Sequence, residues 1–169
     1  MVQVPQIVKD GQRTVLDLPD GNRMEPLSPS TEDAYFAMRG TIPPGGVVPL
    51  HSHADAESFY VLSGEVEALV QTTNGLCWQR LRPGDFIHVT PEAKHAWRNR
   101  SSDPTSALVM CTARLGRALR EMGQVAVEYG SQSASPAALQ RLREISERYG
   151  YWLGSLEENV AVGIALCNS

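Results

Sequence analysis

Residues 50–64 read LHSHADAESFYVLSG. Two of the chain's four histidines, His51 and His53, stand one residue apart, followed by Glu57 and an aromatic–aliphatic run closed by Gly64. In an extended strand, residues two apart share a face and lie about 6–7 Å apart along the chain. Imidazoles at that spacing can converge on one ion over bonds of about 2 Å. Glu57 has the same parity, with Ala54-Asp55 marking a bend before it. A five- or six-coordinate centre needs a further protein ligand from another strand. His95, on the strand after 86-FIHVT-90 and a tight turn, is the candidate. Three imidazoles and one carboxylate suit one divalent transition metal ion (iron, nickel, cobalt, manganese, copper or zinc) and not magnesium or calcium, which prefer oxygen shells.

Around this stretch the chain reads as short strands broken by turn residues. VPQIV (4–8), RTVLDL (13–18), AYFAMRGTI (34–42), VVPLHSH (47–53) and SFYVL (58–62) come first. GEVEALVQTT and LCWQRL flank Asn74-Gly75, a strong hairpin signal. Arg82-Pro83-Gly84-Asp85 has proline and glycine where a type II turn places them. FIHVT, HAWRN and TSALVMCTA follow. Roughly ten strands at turn-marked intervals predict a sandwich or barrel.

After Ala113 the period changes. Leu115, Ala118, Leu119 and Met122 recur at helical spacing. A second helix is expected over 135–150, with Ser135 as N-cap, Pro136 at the first helical position and Gly150 as C-terminal cap. Its stripe of Leu139, Leu142, Ile145 and Tyr149 is expected to pack on the barrel or on a partner subunit. The tail EENVAVGIALCNS (157–169) reads equally as a loose end or a docked strand. The expected organisation is a β-barrel over 1–114 and a helical extension over 115–169.

The chain has 169 residues, 42% hydrophobic and 20% charged, with a formal net charge of −4. That balance suits one soluble globular domain. The absence of a basic stripe argues against nucleic acid as a partner. No apolar run reaches the roughly 20 residues of a membrane span, and MVQVPQIVKDGQRTV lacks the apolar core of a secretory signal. Cys77, Cys111 and Cys167 are far apart and in no CxxC pair, as expected of reduced cytoplasmic thiols.

The spacing Gly45-x5-His51-x-His53-x3-Glu57-x6-Gly64 resembles the first signature of the cupin superfamily. A second signature runs from Gly84 through Thr90 and His95 to Asn99. Thr90 stands where that family usually has proline, and Glu92 where glycine is common; these departures affect the turn and not the ligands. Over about residues 30–154 the chain resembles the single-domain, quercetinase-like (flavonol dioxygenase-like) cupins. TIPPGGVVPLHSHADAESFYVLSGEVE and RPGDFIHVTPEAKHAWRN carry the likeness, as do RALREMG and SPAALQRLREISERYGYWLG.

The resemblance implies an all-β jelly-roll barrel with a C-terminal helical extension, a metal held by His51, His53, Glu57 and His95, and a homodimer. It also implies that Glu57 takes a proton from a flavonol-like or aromatic polyketide-derived phenol or enol before O2 opens the ring. An apolar pocket would then draw on Trp97 and Phe59, which have the parity of His95 and Glu57, and on Tyr35 or Phe36 opposite. Lys94 and Arg98 have the other parity and are expected to point outward. His88 is read as a wall or interface residue outside the site. Two further functions fit the same ligands: a zinc-dependent polyketide cyclase or similar non-oxidative tailoring enzyme, and a non-catalytic small-ligand-binding module.

Overall fold

The computed structural model describes residues 6–30, 33–125 and 136–165, and turn residues divide these described residues into twelve strands and three helices. In chain order they are β1 (Leu16–Asp17), β2 (Arg23–Pro26), β3 (Tyr35–Ile42), β4 (Val47–Ser52), β5 (Glu57–Ser63) and β6 (Val66–Thr72). β7 (Gly75–Leu81), β8 (Phe86–Val89), β9 (His95–Arg98), β10 (Thr105–Thr112) and α1 (Ala113–Met122) follow. The last are β11 (Gln124–Val125), α2 (Pro136–Tyr149), β12 (Trp152–Leu153) and α3 (Leu156–Ala161).

Two antiparallel sheets pack face to face as a jelly roll. One has the order β11-β1-β2-β3-β10-β5-β8 and the other β12-β4-β9-β6-β7. The chain crosses between them at Gly64, whose φ is 73° and whose added Cβ would lie 2.5 Å from the Pro104 carbonyl oxygen. The left-handed backbone alone costs another residue about 1–2 kcal/mol. Val61 from one sheet and Val66, Ala68 and Trp97 from the other close the core between them, with Phe59 packed against it. At the other end Phe36, fully buried, joins Met24, Met38, Val109 and Leu115. Burying Phe36 contributes about 1.5–3 kcal/mol. The fit is close: a Cβ at Gly116 of α1 would meet the Phe36 ring at 2.4 Å.

The segment after residue 114 is not purely helical. β11 pairs with β1, and β12 pairs with β4, so it adds a strand to each sheet. α1 and α2 pack on each other through Ala118, Met122 and Ile145, with Leu142 and Tyr149 alongside. The expected apolar stripe therefore faces a neighbouring helix; the side chain of Leu139, like Ser135, lies outside the described residues. Gly150, at φ 69°, ends α2. The 157–169 tail is neither loose nor a strand over its described part. It is the short helix α3, opened by a capping box between Ser155 and Glu158. Asn159, fully buried, accepts from the Leu50 N–H at 2.9 Å and donates to the carbonyls of Gly154 and Ser155. Ile164 packs with Leu50, Leu69 and Ala96, so this segment covers the outer face of the smaller sheet.

Three local expectations change. Residues 6–8 are not a strand, and Val4 and Pro5 lie outside the described residues. Only Leu16–Asp17 of RTVLDL is extended into a ladder. The β6–β7 hairpin turns on Thr73-Asn74, because Thr72 pairs with Gly75, whose φ is 108°. The Thr72 hydroxyl donates to the Gly75 carbonyl at 2.8 Å and accepts from Asn74 N–H, which favours this register. Among the described residues no helix is long and apolar enough to cross a membrane.

Candidate metal centre

β4 carries His51 next to its last residue, Ser52, and His53 follows directly. His51 and His53 alternate with Leu50 and Ser52, so both point between the sheets while Leu50 packs on the outer face. The bend at 54–56 then starts β5 with Glu57 facing the same space. On the opposite sheet β9 pairs with β4, placing His95 directly across from His51. One donor atom from each of His51, His53, Glu57 and His95 lies within 4.8 Å of all the others. His53, Glu57 and His95 are buried, whereas His51 keeps partial exposure.

Each imidazole is aimed by its own backbone. His51 Nδ1 meets the Pro49 carbonyl, His53 Nδ1 the Asp55 carbonyl and His95 Nδ1 the Ala93 carbonyl, all at 2.8 Å. A carbonyl only accepts, so these contacts place the proton on Nδ1 and leave the Nε2 lone pairs for an ion. His95 Nε2 lies 2.8 Å from Glu57 Oε1, and His53 Nε2 lies 3.4 Å from the same oxygen. Bonds of about 2 Å at right angles place adjacent donors about 3 Å apart, so the four groups fit one ion.

The electrostatics agree with that fit. Burial opposes ionisation of Glu57, but the adjacent His53 and His95 outweigh it and hold the carboxyl well below the usual carboxylate range. Burial likewise opposes charge on His53, and Glu57 more than offsets it, raising that imidazole. His51 is pushed down to about 3, first by desolvation and then by its neighbour His95, against the pull of Glu57. One carboxylate beside three imidazoles is a donor set that a transition dication takes. Cys111 pairs across the ladder with Glu57 but is not one of the grouped ligands. Burial, then the Glu57 and Asp55 charges, push its thiol well up, so it remains protonated.

The other expected site residues divide. Phe59 and Trp97 stack with ring centres 4.2 Å apart in the core between the sheets. Phe36, Cys111 and Glu57 form one cross-strand row on the inner face. Tyr35 does not line this space. It is one residue out of phase, 62% exposed, on the outer face of the larger sheet. His88 is exposed and meets the Ser58 hydroxyl at 2.8 Å, away from the centre. Lys94 and Arg98 do point outward, over the rings of Trp152 and Trp78.

Two residues beside the centre escaped the sequence. Asp55 was legible only as part of a bend, although a carboxylate two residues from each of two ligands is a signal. Tyr151, whose ring lies 5.4 Å from that of His53, comes from far along the chain and leaves no local pattern.

Residues 38–111 match the family model described as Cupin domain. No curated protein matches the chain. An RmlC-like cupin from Shewanella frigidimarina is 19% identical over 67% of this chain and 95% of its own, with a TM-score of 0.55. KdgF from a Halomonas species is 16% identical over 64% of this chain and 94% of its own, also with a TM-score of 0.55. The DMSP lyase DddQ from Ruegeria pomeroyi is 31% identical over 47% of this chain, with a TM-score of 0.42; the match spans 39% of the lyase. The family match falls on the strands that carry all four ligands, and the two longer superpositions share their arrangement: residues 38–111 are a cupin domain.

Proposed function

We propose that the protein is a metal-dependent dioxygenase acting on a flavonol-like or aromatic polyketide-derived phenol or enol. The observation that carries this reading is Glu57, a buried carboxylate whose Oε1 lies 2.8 Å from His95 Nε2 among the three clustered imidazoles. A divalent transition ion held by His51, His53, Glu57 and His95 supplies Lewis acidity toward a substrate hydroxyl and, where redox-active, a means of activating O2. Glu57 accepts the hydroxyl proton through its second carboxylate oxygen, the one not turned toward His53 and His95. The Nδ1 anchors of the three imidazoles hold the donors in place as that proton moves. Phe59 and Trp97 supply apolar surface and exclude water from the space below the ligands.

The experiment is to measure bound metal in the purified protein and to follow dissolved oxygen with a panel of flavonols and aromatic polyketides. Oxygen uptake coupled to ring opening supports the proposal. Conversion of a polyketide by zinc-loaded protein without oxygen uptake replaces it with a cyclase. Tight binding without turnover across the panel replaces it with a binding module.

A further inference from the structure

Asp55 sits in the three-residue linker between two ligands, His53 and Glu57, and is only 4% exposed. Three donors from two separate parts of the chain converge on its carboxylate. The Thr112 hydroxyl donates to Oδ1 at 2.5 Å, Arg114 Nη1 to Oδ2 at 2.6 Å, and the Tyr151 hydroxyl to Oδ2 at 3.1 Å. Thr112 also caps α1 by accepting from the Leu115 N–H, and Arg114 also donates to the Tyr149 carbonyl. The backbone carbonyl of the same aspartate is the acceptor for His53 Nδ1. The linker is thus fixed to α1 and to the end of α2 through one side chain.

An ion pair between a buried carboxylate and a partly exposed guanidinium is a weak source of stability, because desolvation and solvent screening cancel most of its Coulomb gain. It is a strong source of geometry, since a buried carboxylate has few places to go once three donors have claimed it. The partners of ligating imidazoles commonly set their tautomer and orientation. We propose that Asp55 is a positioning residue of the metal centre. Its carboxylate, braced by Arg114, Tyr151 and Thr112, fixes the 54–56 linker so that its own carbonyl holds the His53 Nδ1 proton and keeps Nε2 on the ion. Arg114 and Tyr151 act through Asp55, which makes the segment beyond the barrel a working part of the centre. This inference rests on the metal-centre reading and not on the identity of the substrate.

The test uses the full chain with Co2+ as probe. Wild type, Asp55→Asn and Tyr151→Phe are compared by thermal melting, by nitrogen-15 spectra of the imidazoles without metal, by the Co2+ visible spectrum and by Co2+ transfer to a chelator. Expected for Asp55→Asn are a loss of the single Nδ1-protonated form of His53, an altered visible spectrum and metal affinity lowered about 10–100-fold. Tyr151→Phe removes one hydroxyl, should fold even if Asp55→Asn does not, and should shift the same three readouts in the same direction by a smaller factor. A lowered melting temperature with wild-type tautomer, spectrum and affinity would reduce Asp55 to a fold-stabilising residue and overturn the inference. Wild-type protein that binds no Co2+ would overturn the metal centre itself, and this inference with it.

Discussion

Two turns deliver the candidate ligands, and they are held in opposite ways. The 54–56 linker between His53 and Glu57 is braced by side chains from α1 and from the end of α2. The 90–93 turn before His95 is made almost entirely of backbone. Ala93 N–H donates to the Thr90 carbonyl at 3.2 Å, and Glu92 N–H donates to the His53 carbonyl at 2.7 Å. Glu92 occupies the third position of this turn at φ 65°, the sole non-glycine residue with positive φ among those described. Glycine is the residue that conformation favours, and glutamate there costs about 1–2 kcal/mol. One turn gains its order from distant charge; the other tolerates local strain because the strands around it leave no alternative. Both end on His53, which ties the two halves of the ligand set together.

Breaking the centre itself gives the largest effect. His95→Ala or His51→Ala should lower bound metal from about one ion per chain to a small fraction, read by elemental analysis after dialysis. Next comes the carboxylate. Glu57→Gln should keep much of the metal but lower turnover about 10²–10⁴-fold, as loss of a general base does. Undiminished turnover in that variant would remove Glu57 from the role of base. The comparison of turns is sharpened by Glu92→Gly. It should raise stability by about 1 kcal/mol, or roughly 2–4 °C in melting temperature, with metal content unchanged. A destabilised Glu92→Gly protein would mean that the turn is not strained. The smallest effects are expected outside the centre. His88→Ala and Tyr35→Ser should leave metal content at the wild-type level, since both side chains lie on the exposed outer face.

The clustering of His51, His53, Glu57 and His95 was legible because strand parity and spacing are strong constraints. H-x-H, a carboxylate four residues on and a further histidine behind the Thr90-Pro91-Glu92-Ala93 turn leave little freedom once the strands exist. The departure at Glu92 was also visible in the sequence, and the structure gives its physical meaning. What was not legible depends on long-range contact. Tyr35 and Phe36 are adjacent, and which one faces inward was settled by the pairing of β3 with β10, not by composition. Asn159 reads as an ordinary polar residue in a tail, yet it is buried against the strand that carries His51. Strands β11 and β12, two residues each, exist only because a sheet edge is there to receive them.

X-ray absorption at the metal edge of the loaded protein tests the central claim most directly. The account predicts one ion with three imidazole nitrogens and one carboxylate oxygen at about 2 Å, and loss of one imidazole contribution in His95→Ala. A spectrum without imidazole scattering, or one unchanged by that substitution, would contradict it.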